Sequence, residues 1–162
     1  MSTARSLPLA VVAGVLVAPT LPAQRVPTTP GVQVTQGLDF GPVIQGVPAR
    51  VDRQDGARAG RVEIVAAARA RVFVQLVLPG LLERPGTARS TLALEFGAAD
   101  AGYSAQQQVS QQTPFDPRAG TIATLNEAGR GTVFLGGTLV PAPRQPPGPY
   151  QAIVTITVTY AD

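Results

Sequence analysis

The stretch Val154-Thr155-Ile156-Thr157-Val158-Thr159-Tyr160 decides the fold. Successive side chains of a β-strand point to opposite faces. Val154, Ile156, Val158 and Tyr160 therefore share one side, and the three threonines share the other. Nearly every position is β-branched or aromatic, the residue types that fit a pleated, half-buried surface. The pattern predicts a strand with one face on a core and one in water.

The same signature recurs towards the N-terminus. Val72, Val74, Leu76 and Leu78 alternate with Phe73, Gln75 and Val77, and Pro79-Gly80 ends the run. Thr91 to Phe96 places Leu92, Leu94 and Phe96 on one side. Val62 and Ile64 flank Glu63, and Val32 and Val34 alternate with Gln33 and Thr35. Leu38 and Phe40 continue that alternation until Gly41-Pro42. Thr121 to Leu125 and Thr132 to Val140 complete the set, and Gly136-Gly137 predicts a bulge or bend inside the latter. No segment after residue 23 carries a helical stripe. Many short alternating runs separated by Gly and Pro predict an all-β fold, a two-sheet antiparallel β-sandwich formed by one domain over residues 32–162. Ala98 to Gly120, with its Gln106-Gln107-Gln108 and Gln111-Gln112, reads as an irregular polar connection.

Composition narrows the chemistry. The chain has 162 residues, and all 13 of its basic residues are Arg; Lys, His, Cys and Trp are absent. Without His or Cys there is no imidazole or thiolate to hold zinc, copper or iron. Ser-His-Asp, Cys-His and lysine-based nucleophiles are excluded as well. The expectation is no metal, no cofactor and no catalytic residue, hence no enzyme. The ten carboxylates show no spacing that pairs them for glycoside hydrolysis. Asp52-Arg53-Gln54-Asp55-Gly56 lacks the remaining ligands of a calcium loop and predicts a hairpin turn with Asp55-Gly56 at its tip. The arginines are scattered and interleaved with acids, and the net charge is only +3. That is not a nucleic-acid footprint.

The first residues read as an export signal. Arg5 precedes the apolar run Leu7 to Ala18, whose 12 residues fall short of the ~20 that span a bilayer. Pro19 and Pro22 follow, and Ala23 offers a cleavage point before Gln24; cleavage after Ala18 is the other option. The expectation is a signal peptide over 1–23, an extended arm over 24–31, no transmembrane segment in the mature chain, and a secreted or cell-surface location reached through the periplasm.

Several short motifs then form a pattern. Leu38-Asp39-Phe40-Gly41 resembles the L-[DN]-F-G opening of a family of secreted bacterial β-sandwich domains of unknown function. Gly136-Gly137-Thr138-Leu139 is similar to that family, as is Gly148-Pro149-Tyr150 leading into Val154 to Tyr160. Ala59-Gly60-Arg61-Val62 and Leu78-Pro79 look alike too. The family is related to spore coat protein U and to the fimbrial subunits of chaperone–usher systems. The resemblance covers most of residues 32–162. It implies an immunoglobulin-like, pilin-like sandwich whose incomplete edge accepts a strand from a neighbour, by main-chain hydrogen bonds and alternating side chains. The implied partners are a second copy of the chain or a periplasmic chaperone.

On this reading the strand-assembly face is Val154, Ile156, Val158 and Tyr160, and the arm contacts are Val26, Val32 and Val34. Gln24 to Gly31 offers only Val26 as a large apolar residue, and Pro27 and Pro30 lack ladder donors. The leading functional expectation is a non-enzymatic fimbrial or coat-type structural subunit. The alternative is an autonomous secreted module that binds a surface glycan or envelope protein through Ala98 to Gly120. A groove beside the final strand separates the first reading from the second.

Overall fold

The structure, a computed structural model, describes residues 29–86 and 90–162. The expected signal peptide and Val26 lie outside the described residues. Within them the chain forms β1 (Gly31–Gln36), β2 (Ala49–Val51), β3 (Gly60–Val65), β4 (Arg71–Val77), β5 (Leu81–Glu83) and β6 (Thr91–Glu95). These are followed by β7 (Ala101–Ser104), β8 (Thr113–Phe115), β9 (Thr121–Thr124), β10 (Arg130–Leu135), β11 (Gly137–Val140) and β12 (Thr155–Tyr160). Every strand pairing is antiparallel. The all-β antiparallel architecture expected from the alternation forms and is consistent with a β-sandwich, but it is built from three sheets rather than the expected two.

One layer is a five-stranded sheet in the order β1-β3-β10-β7-β8. The other consists of a four-stranded sheet, β2-β11-β6-β5, and a three-stranded sheet, β12-β4-β9. These two are separate sheets linked at one point. β4 runs through Leu78-Pro79-Gly80 into β5, and an isolated antiparallel bridge joins Glu83 to Gln151 ahead of β12. Reciprocal bonds of 2.8 and 2.9 Å between the Glu83 and Gln151 backbones hold that bridge.

A single core lies between the layers. Ile64, Val133 and Leu135 come from the five-stranded sheet, and Val72, Val74, Leu76, Leu92, Leu94 and Leu139 come from the other layer. These are the inward positions of the period-2 alternation, so burial of the apolar set drives the pairing register.

Gly136-Gly137 marks a change of sheet. β10 belongs to the five-stranded sheet and β11 to the opposite layer, so the chain crosses the sandwich there. Gly136 donates its N–H to Asp100 O at 2.8 Å. A Cβ at Gly136 would overlap the Val51 carbonyl oxygen and press on the Arg53 amide at 2.7 Å. Only glycine lets the two backbones approach so closely.

Three expectations are corrected. Asp52 to Gly56 is a turn, but it does not close a hairpin: β2 and β3, on either side, sit in different sheets. Asp55 Oδ1 accepts from the Ala57 and Arg58 amides at 2.9 and 3.1 Å, which stabilises the turn locally. Leu38 to Phe40 is not a strand, because β1 ends at Gln36 and Gly41 adopts φ +64°. Ala98 to Gly120 is not one irregular loop: it contributes β7 and β8, which pair through Ala101–Phe115, Gly102–Pro114 and Tyr103–Thr113.

Candidate functional site

The two layers do not close on each other along one side. β1 ends the five-stranded sheet and β12 ends the three-stranded one, and among the described residues each has one strand partner, β3 and β4 respectively. Each is therefore an edge strand among the described residues, with one side of its backbone turned away from its sheet.

The register fixes which side chains face inward along these edges. Val32 lies opposite Ile64 and Val34 opposite Val62, so both point to the core side of their sheet. Ile64 is fully buried, yet Val32 is 41% and Val34 66% exposed. On the facing edge Ile156, Val158 and Tyr160 lie opposite Leu76, Val74 and Val72. Those three partners are buried, whereas Ile156 and Val158 are only half-buried and Tyr160 is exposed. Core-facing side chains are thus uncovered on both edges, as happens when a sandwich lacks the strand that should lie between them.

A cavity of about 750 Å³ occupies this gap. Val34 lines it from β1, Ile156 from the start of β12 and Val154 from just before it. Its floor is core: Leu82, Leu92, Leu94, Leu135 and Leu139. Val32, Val158 and Tyr160 do not line it. The cavity therefore fills the half of the gap where β1 ends and β12 begins.

Two loops wall that half. One follows β1 and presents Leu38, Phe40, Pro42 and Val43; the other precedes β12 and presents Pro146 to Tyr150. They are tied together. Gln45 Nε2 donates to Gln145 O at 2.5 Å, and Gly46 N donates to Ala142 O at 3.2 Å.

Gln145 is the hub of the second loop. It is buried, with Nε2 donating to Thr91 O at 3.0 Å and to Tyr150 Oη at 2.8 Å. Its Oε1 accepts from the Ala142 amide at 3.3 Å. Tyr150 Oη in turn donates to Pro146 O at 2.8 Å. A buried polar side chain is tolerated only when its groups find partners, and here the partners are backbone atoms of the loop and of β6 and the Tyr150 hydroxyl.

The charged residues on the cavity wall are Asp39 and Arg61. Asp39 Oδ1 is engaged by the Gly41 amide at 2.8 Å, and the Arg61 guanidinium lies over the Phe134 ring, 5.4 Å from its centroid. Among the described residues neither forms an ion pair, and the buried Arg61 Nε has no hydrogen-bond partner, so each keeps its charge within an otherwise mostly apolar lining. Among the described residues no three Asp or Glu side chains cluster as a metal site, and no helix is long and apolar enough to cross a membrane. Tyr103, outside the cavity, has its phenol pushed up to about 12 by burial.

The structure brings Val34, Val154 and Ile156 together from opposite sheets. It leaves Val32, Val158 and Tyr160 along the same two edges but beyond the cavity. The Leu38-Asp39-Phe40-Gly41 and Gly148-Pro149-Tyr150 motifs, far apart in sequence, both turn out to wall the cavity. Gln145 was not legible as a site residue, since a glutamine between prolines reads as a solvated connection.

No protein-family model matches this chain, and no curated protein is recognisably similar to it.

Proposed function

We propose that this protein is a non-enzymatic structural subunit of the bacterial cell surface, of fimbrial or coat type. Its domain is an immunoglobulin-like, pilin-type sandwich completed by a strand from another polypeptide. One observation carries the reading: among the described residues β1 and β12 each end a sheet, and they flank a largely apolar cavity floored by the core. Free backbone edges call for an extended chain, and the uncovered valines and isoleucine call for apolar residues at alternate positions of it. The signal-like residues 1–23 support export, and a periplasmic chaperone is the natural first occupant of the gap before a neighbouring subunit takes its place. The glycan-binding alternative has less support, because Ala98 to Gly120 is spent on β7, β8 and the cover of a sheet.

The test is strand addition. The purified protein is mixed with nine-residue peptides that alternate Val or Leu with Thr, and thermal unfolding and amide exchange are followed. Binding to the native state raises the midpoint, and the β1 and β12 edges gain exchange protection. If no peptide shifts the midpoint or protects either edge, the reading is wrong. The intact mass of the exported protein reports whether the leader is removed at Ala23 or Ala18.

A further inference from the structure

We infer that the outward face of the three-stranded sheet is a self-association surface, on which a second copy of this chain packs face to face. The inference is independent of strand completion, because it concerns the side of β12 turned away from the core.

The two outer faces of the molecule differ in charge. On the five-stranded sheet the outward set includes Arg61, Glu63 and Arg130, and Arg130 pairs with Glu63 at 2.6 Å. On the three-stranded sheet β4 turns Phe73, Gln75 and Val77 outward. β12 sets Thr159, Thr157 and Thr155 opposite them in register. β9 adds Ile122 opposite Phe73. None of these side chains carries a charge. Val77 is 63% and Ile122 55% exposed, although a sheet face turned to water is ordinarily polar.

The uncharged stripe continues past the ends of these strands. Ile153 and Leu81 each lie two residues inside the Gln151–Glu83 bridge, so alternation turns both to its exposed side. They are 84% and 51% exposed. Arg71, whose Nη1 donates to Asp162 O at 2.9 Å, stands at one end of the stripe and Glu83 at the other. The four exposed aliphatic residues present on the order of 400 Å², as much as the largest patch of an ordinary monomer. With Gln75 and the threonines the face approaches the ~800 Å² that each partner gives to a standard interface.

A second copy fits this face better than a charged partner does. The face offers nothing to pair with a charge, and covering a charge without a partner is costly. Against itself it meets only hydroxyl, amide, aromatic and aliphatic groups. Stacked sheets lie about 10 Å apart with their strands within about 30° of each other. A twofold axis running along the strands between β4 and β12 lays the threonine column of one copy over the β4 column of the other. Thr155 then meets Val77 of the second copy, and the reverse. The β1 and β12 edges stay open in such a dimer.

Sedimentation velocity of the exported protein over a concentration series tests this. A monomer–dimer equilibrium with a dissociation constant of roughly 10–100 µM is expected, the weak end for an interface of this size. Val77→Lys should raise that constant at least about tenfold, since it buries a charge in the contact. The melting midpoint should hold, because Val77 is already exposed. Ile153→Lys, outside any strand, should act in the same way and serves if Val77→Lys fails to fold. Mixing V77K with T155E should restore dimers, because the axis sets the two substituted positions face to face. A protein still monomeric at about 1 mM, or a dimer indifferent to both lysine substitutions, overturns the inference. A dimer lost in Val34→Thr but kept in Val77→Lys places the contact at the gap and overturns it as well. Dimers broken by lysine and not restored by mixing overturn the axis along the strands. Peptide binding in the gap is a separate readout, and its failure overturns strand completion while leaving this surface standing.

Discussion

Val34 of β1 and Ile156 of β12 line one cavity from two different sheets, and among the described residues each of these strands ends its sheet. Both belong by register to the core-facing set, yet Val34 is 66% exposed. The apolar layer between the sheets is therefore present but uncovered at this edge.

Val34→Thr separates folding from binding. The side chain is already mostly in water and the replacement keeps its β-branched shape, so stability should change by less than about 0.5 kcal/mol. Affinity for an inserted apolar strand should fall roughly fivefold, because that strand is what would bury the methyl groups. Urea unfolding and peptide titration on the same sample read the two effects.

Phe134→Ala should cost about 3–5 kcal/mol, a large share of the 5–15 kcal/mol that holds an ordinary domain together. Phe134 is fully buried but lies on the side of β10 away from the main core, opposite Arg61 and Gly102 in the ladder. Arg61 stacks on its ring, and Arg53 and Gln112 reach over Gly102 beside it. The urea midpoint should fall steeply. A change below 1 kcal/mol would show that this outer cover contributes little packing.

Gln145→Ala removes the hub of the second loop. It leaves Thr91 O, Tyr150 Oη and the Ala142 amide short of a partner, at a cost of about 1–3 kcal/mol. Amide exchange should quicken first at Gly46 and Gln145, whose N–H groups bond to Ala142 O. Exchange at buried β4 amides should stay slow as long as the domain remains folded.

Gly136→Ala should destabilise by about 1–3 kcal/mol or prevent folding, since the new Cβ has only the Val51 and Arg53 backbones to displace. Gly37→Ala, with open space around it, is the comparison and should be well tolerated. Circular dichroism melts of the pair distinguish a crossing that needs glycine from one that merely has it.

Tyr103 makes stability fall at alkaline pH. Burial favours its neutral phenol in the folded state, raising its ionisation from 10.0 to about 12. The unfolded chain loses this proton near pH 10 and the folded one near pH 12. Folding is therefore progressively disfavoured across that window, and the contribution is fully present below it. Ultraviolet titration should show a phenol ionising near pH 12 that is missing in Tyr103→Phe.

Much of the strand content was legible because alternation is local. Val72 to Leu78, Thr91 to Phe96 and Thr155 to Tyr160 each carry their own period-2 pattern, and each forms the expected strand. β7 and β8 were missed because Ala101-Gly102-Tyr103-Ser104 and Thr113-Pro114-Phe115 have too few β-branched residues to signal themselves. Their pairing comes from position at the end of a sheet, where β7 lies beside β10 and β8 beside β7. β10 departs from simple alternation. Alternation assigns one face of β10 to water, whereas every residue from Gly131 to Leu135 is buried, because distant side chains cover the outer face.

The candidate site divides along the same line. The sequence by itself determined the strongly alternating strands, their inward faces and a break at Gly136-Gly137, since each depends on the residues of one short segment; that the break is a change of sheet was decided by the tertiary structure. Nothing in Val32-Gln33-Val34 distinguishes it from Val62-Glu63-Ile64, yet the second is an interior strand and the first an open edge. Only the tertiary structure decided that β1 and β12 would each end a sheet, and that Phe40 and Tyr150 would meet at one cavity. Edges and cavities come from pairings between residues far apart in the chain, and no local pattern carries that information.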